Sequence, residues 1–577
     1  MASTTKVNWK IHLPLLVWAI LLGSCKEAAK NVNVEKEELE TTVVDVEAVQ
    51  KLWPEYNDSL EVAANAAHEI ERMRFKLIQS RVLDRNQIFA PLWEEVKKMD
   101  DATYQRLKPM ILEQDIPALQ QHVDKGDFTY ETLVRFYLYR IYKYELNPET
   151  CLHTIISLNP NVIQEARALD SDKNRTHPIY GMPILLKDNI GATEMPTTAG
   201  AIALADHQTD DAFIVERLKS KGALILGKVN LSEWAYYFCG KCPVGYSAIG
   251  GQTLNPYGRK VFETGGSSSG SGTATAANYA VACVGTETSG SILSPSSKNS
   301  VVGLKPTIGL LSRSGIVPIS STLDTPGPMT KFVKDNAIVL QAMMGYDKDD
   351  DDSVLTSWDD QWFKLDSVPE ITSRRFGVFK DLIEKDSLYR EAAEKLRSAG
   401  VQIVIFEGST NRLEGFRTLL NVDMKNDLPK YFMAQSKDSM ELDLATVEDF
   451  VRFNKMDSLV RMPYGQRLFE GILSDTTSQE SLQELKKNLQ TSGRQFFDEA
   501  MREHDLDGIL SINNYHAGYA AVAKYPALTL PMGFRPSGEP VNLTCIAKQF
   551  QEEKLYGMGL GIESILNARR PPELFME

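Results

Sequence analysis

From about Pro178 onward, short runs of wholly apolar residues alternate with helix-period segments, and this pattern constrains the fold more than any other feature. Pro183 to Leu186, Ala223 to Leu226 and Val281 to Val284 are such runs, while Phe213 to Lys219 and the Ala-rich stretch Gly272 to Tyr279 read as helical. A further short helix is expected to start at Asn230-Leu231-Ser232-Glu233. A strand with one wet face alternates polar and apolar residues, whereas a strand apolar throughout is buried on both faces. Strands of this kind interleaved with helices predict an α/β fold, a sheet covered by helices on both sides.

The residues before this region read differently. Apolar residues recur at helical spacing through Val62, Ala66, Ile70, Met73 and Leu77, and a second helical stretch covers Pro91 to Met99. Residues 45–114 are therefore expected to be a helical extension packed on a main domain spanning 115–577. Asp115-Ile116-Pro117 reads as an N-cap followed by an early proline, and Phe128 to Tyr144 as an amphipathic helix. Ahead of the extension, Lys6 and Lys10 precede a dozen apolar residues, Ile11 to Leu22. A bilayer span needs roughly 20 residues, so this stretch suits the core of an export signal. It ends in Leu22-Gly23-Ser24-Cys25, which resembles the bacterial lipobox. The expectation is a signal peptide over 1–24, a lipid on Cys25, and a polar tether over 25–44. Such a chain is exported and anchored to the bacterial cell envelope rather than spanning a membrane.

The formal net charge of −14 argues against a nucleic-acid partner, which needs a basic footprint. Six cysteines in 577 residues are too few for a disulfide scaffold. Cys239 and Cys242 form a C-x-x-C, read either as a local disulfide or as two plain thiols. A zinc site would need a second ligand pair at suitable spacing, and none is present. The acidic run Asp347 to Ser353 lacks the glycine and the terminal glutamate of a calcium loop and reads as a solvated surface loop. No metal is expected.

Chemistry is concentrated in Thr264-Gly-Gly-Ser-Ser-Ser-Gly-Ser-Gly272 and Gly285-Thr-Glu-Thr-Ser-Gly-Ser-Ile292. A phosphate-binding loop would need a Gly-Lys-Ser/Thr that is missing. A nucleophile elbow, G-x-S-x-G, is literally matched with Ser268 at its centre. That motif should follow a buried strand, yet Pro256 to Glu263 is polar, and its histidine would have to be His504 or His516. A flexible linker fails because a strand and a second Gly/Ser turn follow closely.

These segments resemble the signature region of the amidase-signature family, as GGSSSGSG, GTETSGSILSP and GLKPT. Upstream, Gly181-Met-Pro-Ile-Leu-Leu-Lys-Asp-Asn-Ile190 is similar to the family's lysine motif, and Leu311 to Ser320 and Asp324 to Met329 also fit. The resemblance runs from about Asp115 to the C-terminus and implies a mixed β-sheet sandwiched by helices. Carried over, it makes Lys187 the catalytic lysine, Ser267 the bridging serine after a cis Gly266–Ser267 peptide, and Ser291 the nucleophile. The backbone amides of Thr288, Ser289, Gly290 and Ser291 would form the oxyanion hole. Glu287 and Ser289 stand where Asp and Gly are usual, which opens the question of substrate fit. With Asn230 to Ala235 and Gly250 to Pro256, the sequence looks most like the peptide-amidase subgroup, which hydrolyses C-terminal amides of peptides.

The chemistry suits these residues. A serine hydroxyl needs a base. A lysine can act as one near neutrality only if burial brings its pKa from about 10.4 towards 7–8. The end of an apolar strand provides that burial, and strand alternation turns Asp188 to the other face. The expected function is hydrolysis of carboxamide C–N bonds through an acyl-serine intermediate, on a small amide or peptide amide, with no cofactor. The alternatives are an α/β-hydrolase-type esterase using Ser268, and a non-catalytic peptide-binding lipoprotein on an amidase scaffold. Tyr236, Tyr237 and the Cys239–Cys242 turn are candidates for lining the substrate pocket.

Overall fold

The computed structural model describes residues 51–54, 56–172, 175–355, 367–435 and 444–577. The expected signal peptide, Cys25 and the expected tether lie outside the described residues.

Eleven strands form one sheet. They are β1 (Ile155–Leu158), β2 (Pro183–Lys187), β3 (Leu224–Val229), β4 (Ala282–Glu287), β5 (Val302–Lys305), β6 (Thr325–Thr330), β7 (Arg375–Phe379), β8 (Gln402–Phe406), β9 (Gly508–Ile512), β10 (Ala527–Phe534) and β11 (Pro540–Ile546). Their spatial order is β1-β3-β2-β4-β6-β5-β10-β11-β9-β7-β8. The sheet is mixed: β2 runs parallel to β3 and β4, and β7 parallel to β8 and β9, with antiparallel pairs between the two groups. Parallel neighbours need a crossover, and the helices Phe213–Ser220 and Ser269–Ala276 supply those around β2. Strands β2, β3 and β4 are buried along their whole length, as their apolar sequences require. Edge strand β8 instead exposes Gln402 and Ile405.

Asp115 caps the helix Ile116–Lys125 by accepting the Ala118 N–H at 2.8 Å. The helix Tyr130–Glu145, expected to be amphipathic, is buried almost all round. Its Arg140 is tolerated there because it donates to the Ala277 carbonyl at 3.0 Å and the Tyr104 hydroxyl at 2.6 Å.

The extension is less helical than its periodicity predicts. In its first half only Ser59–Asn65 and a turn at Glu71–Met73 are helical, whereas Arg85–Phe89, Ala90–Leu92 and Trp93–Val96 follow one another as helical segments that overlap the expected stretch from Pro91. Asn65 ends the first helix by donating to the Met73 and Lys260 carbonyls. The following residues then run along the main body. Gln252 donates its N–H to the Ile78 carbonyl at 2.8 Å, and Asp58 accepts the N–H groups of Ile78 and Gln79 at 2.9 Å. Phe75, Leu77 and Ile78 are thus buried by wrapping, not by a helix face.

Between β8 and β9 the chain adds the helices Phe416–Gln435, Val447–Lys455, Arg467–Ser474 and Gln479–Glu503. They build a second apolar cluster around Trp234, Phe238, Phe450 and Phe469. The helix expected near Asn230 is instead a left-handed turn, with φ of 51°, 50° and 73° at Trp234, Ala235 and Tyr236. Packing overrides local preference here. The Trp234 ring lies 4.9 Å from Phe450 and 5.3 Å from Phe469, and the buried Glu233 accepts the Ala248 N–H at 3.0 Å. Cys239 and Cys242, just beyond, form a disulfide. The acidic run is not wholly solvated: Asp347 and Asp350 are buried, and Asp350 holds Arg313.

Candidate active site

Lys187 is the last residue of β2 and is fully buried. Its amine lies 2.8 Å from Ser267 Oγ, 2.7 Å from Thr286 Oγ1 and 3.2 Å from the Thr286 carbonyl. A neutral amine has two N–H groups and one lone pair. With both N–H groups donated to Thr286, the lone pair faces the Ser267 hydroxyl, which is the direction a base needs. Burial brings the Lys187 pKa from 10.5 to about 7, against the upward pull of Asp324 and Glu287. Asp188 points the other way, paired with the buried Lys228 at 3.3 Å. Strand alternation thus separates two buried lysines, each with its own partners.

The Gly266–Ser267 peptide is cis. Directly after it the buried helix Ser269–Ala276, made only of small residues, packs against β2, β3 and β4. Ser268 is fully buried, its hydroxyl accepting the Thr286 N–H at 3.2 Å and donating to the Thr286 carbonyl at 3.1 Å. A Cβ at Gly285 would stand 2.8 Å from Ser268 Oγ, so glycine is needed for this close approach. Ser268 therefore braces β4. It follows no strand, and the elbow geometry is absent. His516 is half-buried, stacked on Phe379 and bonded to Ser511.

The Ser268 N–H donates to the Ser291 carbonyl at 3.1 Å, which joins the two serine turns. Ser291 itself is half-buried. Among the described residues, no acceptor takes the N–H groups of Thr288, Ser289 or Ser291, an arrangement able to receive a developing oxyanion. Gly290 has φ +100°, and a Cβ there would lie 2.9 Å from Asn514 Nδ2, so glycine is required. Ser289 has no such constraint, which explains how a serine can stand where the family usually has glycine.

Glu287 does not face a substrate. It is buried, and its carboxylate accepts the N–H groups of Ile292 and Leu293 at 2.7 and 2.9 Å. It thus holds the turn carrying Ser291 onto the helix Leu293–Lys298. Glu287→Ala is expected to lower stability by about 2 kcal/mol, because two buried donors lose their acceptor. A thermal melt or denaturant titration checks this, and an unchanged midpoint would refute the bracing role.

Sequence reasoning missed three contributors. Thr286 anchors the amine, and Asn189 donates to Thr286 Oγ1 at 3.1 Å. Asp324 accepts from the Thr288 hydroxyl at 2.5 Å. All three lie inside the quoted motifs, so spacing marked them, but residue type alone assigned them no role. A narrow cavity is bordered by Thr286, the partner of the amine, together with Thr288, Asn189, Ala235 and Asp324. A cleft of about 850 Å³ shares Arg313, Ile316 and Asp324 with it and is walled by Leu419, Tyr431 and Val522. Ala235 brings the turn before Tyr236 to this cavity, whereas the Tyr237 hydroxyl is bonded to Asn421 at 2.7 Å.

A mixed sheet carrying a buried lysine on a serine, beside a turn of free amides, is the architecture of an amidase. The chain belongs to the amidase family, whose model matches residues 132–511. An Arabidopsis thaliana protein named as a probable amidase is 31% identical over 80% of this chain and 92% of its own length. An amidase family protein from Bacillus anthracis shares the fold at a TM-score of 0.80 and 33% identity, over 86% of this chain and 99% of that one. The native peptide amidase from Stenotrophomonas maltophilia follows at 0.73 and 35% identity, over 80% and 98%. The function that follows from family and fold is hydrolysis of amide bonds.

Proposed function

We propose that the protein cleaves carboxamide C–N bonds of small linear amides, C-terminal peptide amides foremost, through an acyl-Ser291 intermediate. In this reading Ser291 attacks the carbonyl carbon. Its proton passes to Ser267 as the Ser267 proton passes to Lys187, and the oxyanion is received by the amides of Thr288, Ser289 and Ser291, the Gly290 N–H being turned to the Glu287 carboxylate instead. Collapse breaks the C–N bond, the relay returns a proton to the leaving nitrogen, and water then hydrolyses the ester. The observation that carries this reading is the Lys187 amine, wholly buried and 2.8 Å from Ser267 Oγ, where burial pulls its pKa down to about 7. The peptide-amide preference rests on the likeness to the Stenotrophomonas enzyme and on a cleft large enough for a short peptide. The same proposal keeps the enzyme outside the cytoplasm, anchored through a lipid on Cys25.

A fluorophosphonate probe followed by peptide mapping tests the chemistry. Modification of Ser291 is expected, and modification of Ser268 in its place would overturn the assignment. Peptide amides, fatty amides and aryl amides assayed side by side test the preference. Turnover of peptide amides no faster than of the others would remove it.

A further inference from the structure

Asp324 sits between the cleft and the reacting groups. It is half-buried just before β6. One carboxylate oxygen accepts the Thr288 hydroxyl at 2.5 Å, and the other accepts the N–H groups of Ile319 and Ser320 at 2.7 and 2.9 Å. With both oxygens committed to opposite sides, the group cannot rotate without losing bonds. The loop it holds is fastened at its other end to the helix Phe416–Gln435. There the Ser320 hydroxyl donates to Asp423 at 2.5 Å, and the Ser321 N–H donates to Asp427 at 2.7 Å. That helix presents Leu419, Asp427, Lys430 and Tyr431 to the cleft. A continuous set of hydrogen bonds therefore joins the cleft wall to the first residue of the oxyanion turn.

We propose that Asp324 is a positioning residue for amide hydrolysis, fixing the Thr288 end of the oxyanion turn and tying it to the helix that walls the cleft. This rests on the reading of Lys187 as the base. Asp324 and Glu287 are the charged groups that act on Lys187, while Asp188 is engaged by Lys228 on the far side. Arg313 acts on Asp324, and Lys305 on Glu287. Burial raises Asp324 to about 6, so it is ionised over the alkaline side of the profile. Its negative charge favours the protonated lysine, and removing that charge favours the neutral amine.

Asp324→Asn is the test, because an amide has one acceptor oxygen and cannot satisfy both sides. The expected result is a kcat lowered about 10- to 100-fold with KM within about threefold. The inflection of kcat against pH should move to lower pH by at least about half a unit. A kcat within twofold of wild type, or a loss of active protein with the inflection unmoved, would overturn the proposal. Should Asp324→Asn not fold, Thr288→Val removes the same hydrogen bond and Thr288→Ser restores it. Activity must then fall in the first and recover in the second, and equal activity in wild type and Thr288→Val overturns the idea. The wild-type profile separates the two layers. A wild type without an inflection near pH 7 removes Lys187 as the base and this inference with it. A wild-type inflection left unmoved by Asp324→Asn removes only the role of Asp324.

Discussion

Ser291→Ala is expected to reduce amide turnover by at least about 10⁴-fold, whereas Ser268→Ala loses no more than about 100-fold. The contrast follows from what each hydroxyl touches. Ser291 is half-open at the end of a turn with unpaired amides, so its removal deletes the attacking atom. Ser268 Oγ is sealed in the core and spends both its donor and its acceptor on the Thr286 backbone. Losing it removes structural bonds worth about 1–3 kcal/mol, which bounds the rate effect. Steady-state kinetics of both variants, with circular dichroism to show that each is folded, separates the two. Loss of activity in Ser268→Ala comparable to that in Ser291→Ala would return the nucleophile to Ser268. Activity of Ser291→Ala near wild type would end the acyl-Ser291 mechanism.

The strands around the site were readable because burial on both faces leaves an unambiguous trace. Pro183 to Leu186 and Val281 to Val284 could not lie on a wet surface, and the chain places them side by side with Leu186 paired to Val284. The lysine at the end of such a strand was bound to be desolvated. What escaped was everything decided by distant partners. Trp234 to Tyr236 have ordinary side chains in a left-handed turn, because the Trp234 ring is claimed by phenylalanines more than 200 residues later. The period through Val62 to Leu77 suggested a helix, but Asn65 and Asp58 gave the backbone other partners. Asp347 and Asp350 looked solvated by composition, yet Arg313 and Ser312 draw them inward. Glu287 looked like a specificity residue from its position beside the nucleophile's turn. On β4, successive side chains point to opposite faces, so Thr286 reaches Lys187 while Glu287 reaches the amides beyond Ser291. Spacing located the site, but the division of labour within it depends on which face each residue takes.

Lys187→Met is expected to abolish activity and, at the same time, to change how stability depends on pH. The first effect follows from losing the base, about 10⁴-fold in kcat. For the wild type it implies a rate that rises with pH through about 7, as the amine becomes neutral. The second follows from linkage. The folded-state pKa of Lys187 is depressed to about 7 from 10.5. Between those values the unfolded chain binds the proton and the folded one does not, so wild-type stability rises with pH across this window. Below pH 7 both states are protonated and the folded protein carries the whole penalty, on the order of 5 kcal/mol. Methionine carries no such penalty, but it leaves Ser267 Oγ without the amine and takes one donor from each Thr286 oxygen, at roughly 1–3 kcal/mol in all. Those losses do not vary with pH. The Tm of Lys187→Met relative to wild type should therefore be highest below pH 7 and decline steadily towards pH 10, where the variant is the less stable protein. Melting curves at pH 6, 8 and 9.5 measure the trend. Parallel Tm profiles for the two proteins would mean that Lys187 titrates alike in the folded and unfolded chains, and a lysine of that kind would be protonated at neutral pH and unable to take the Ser267 proton.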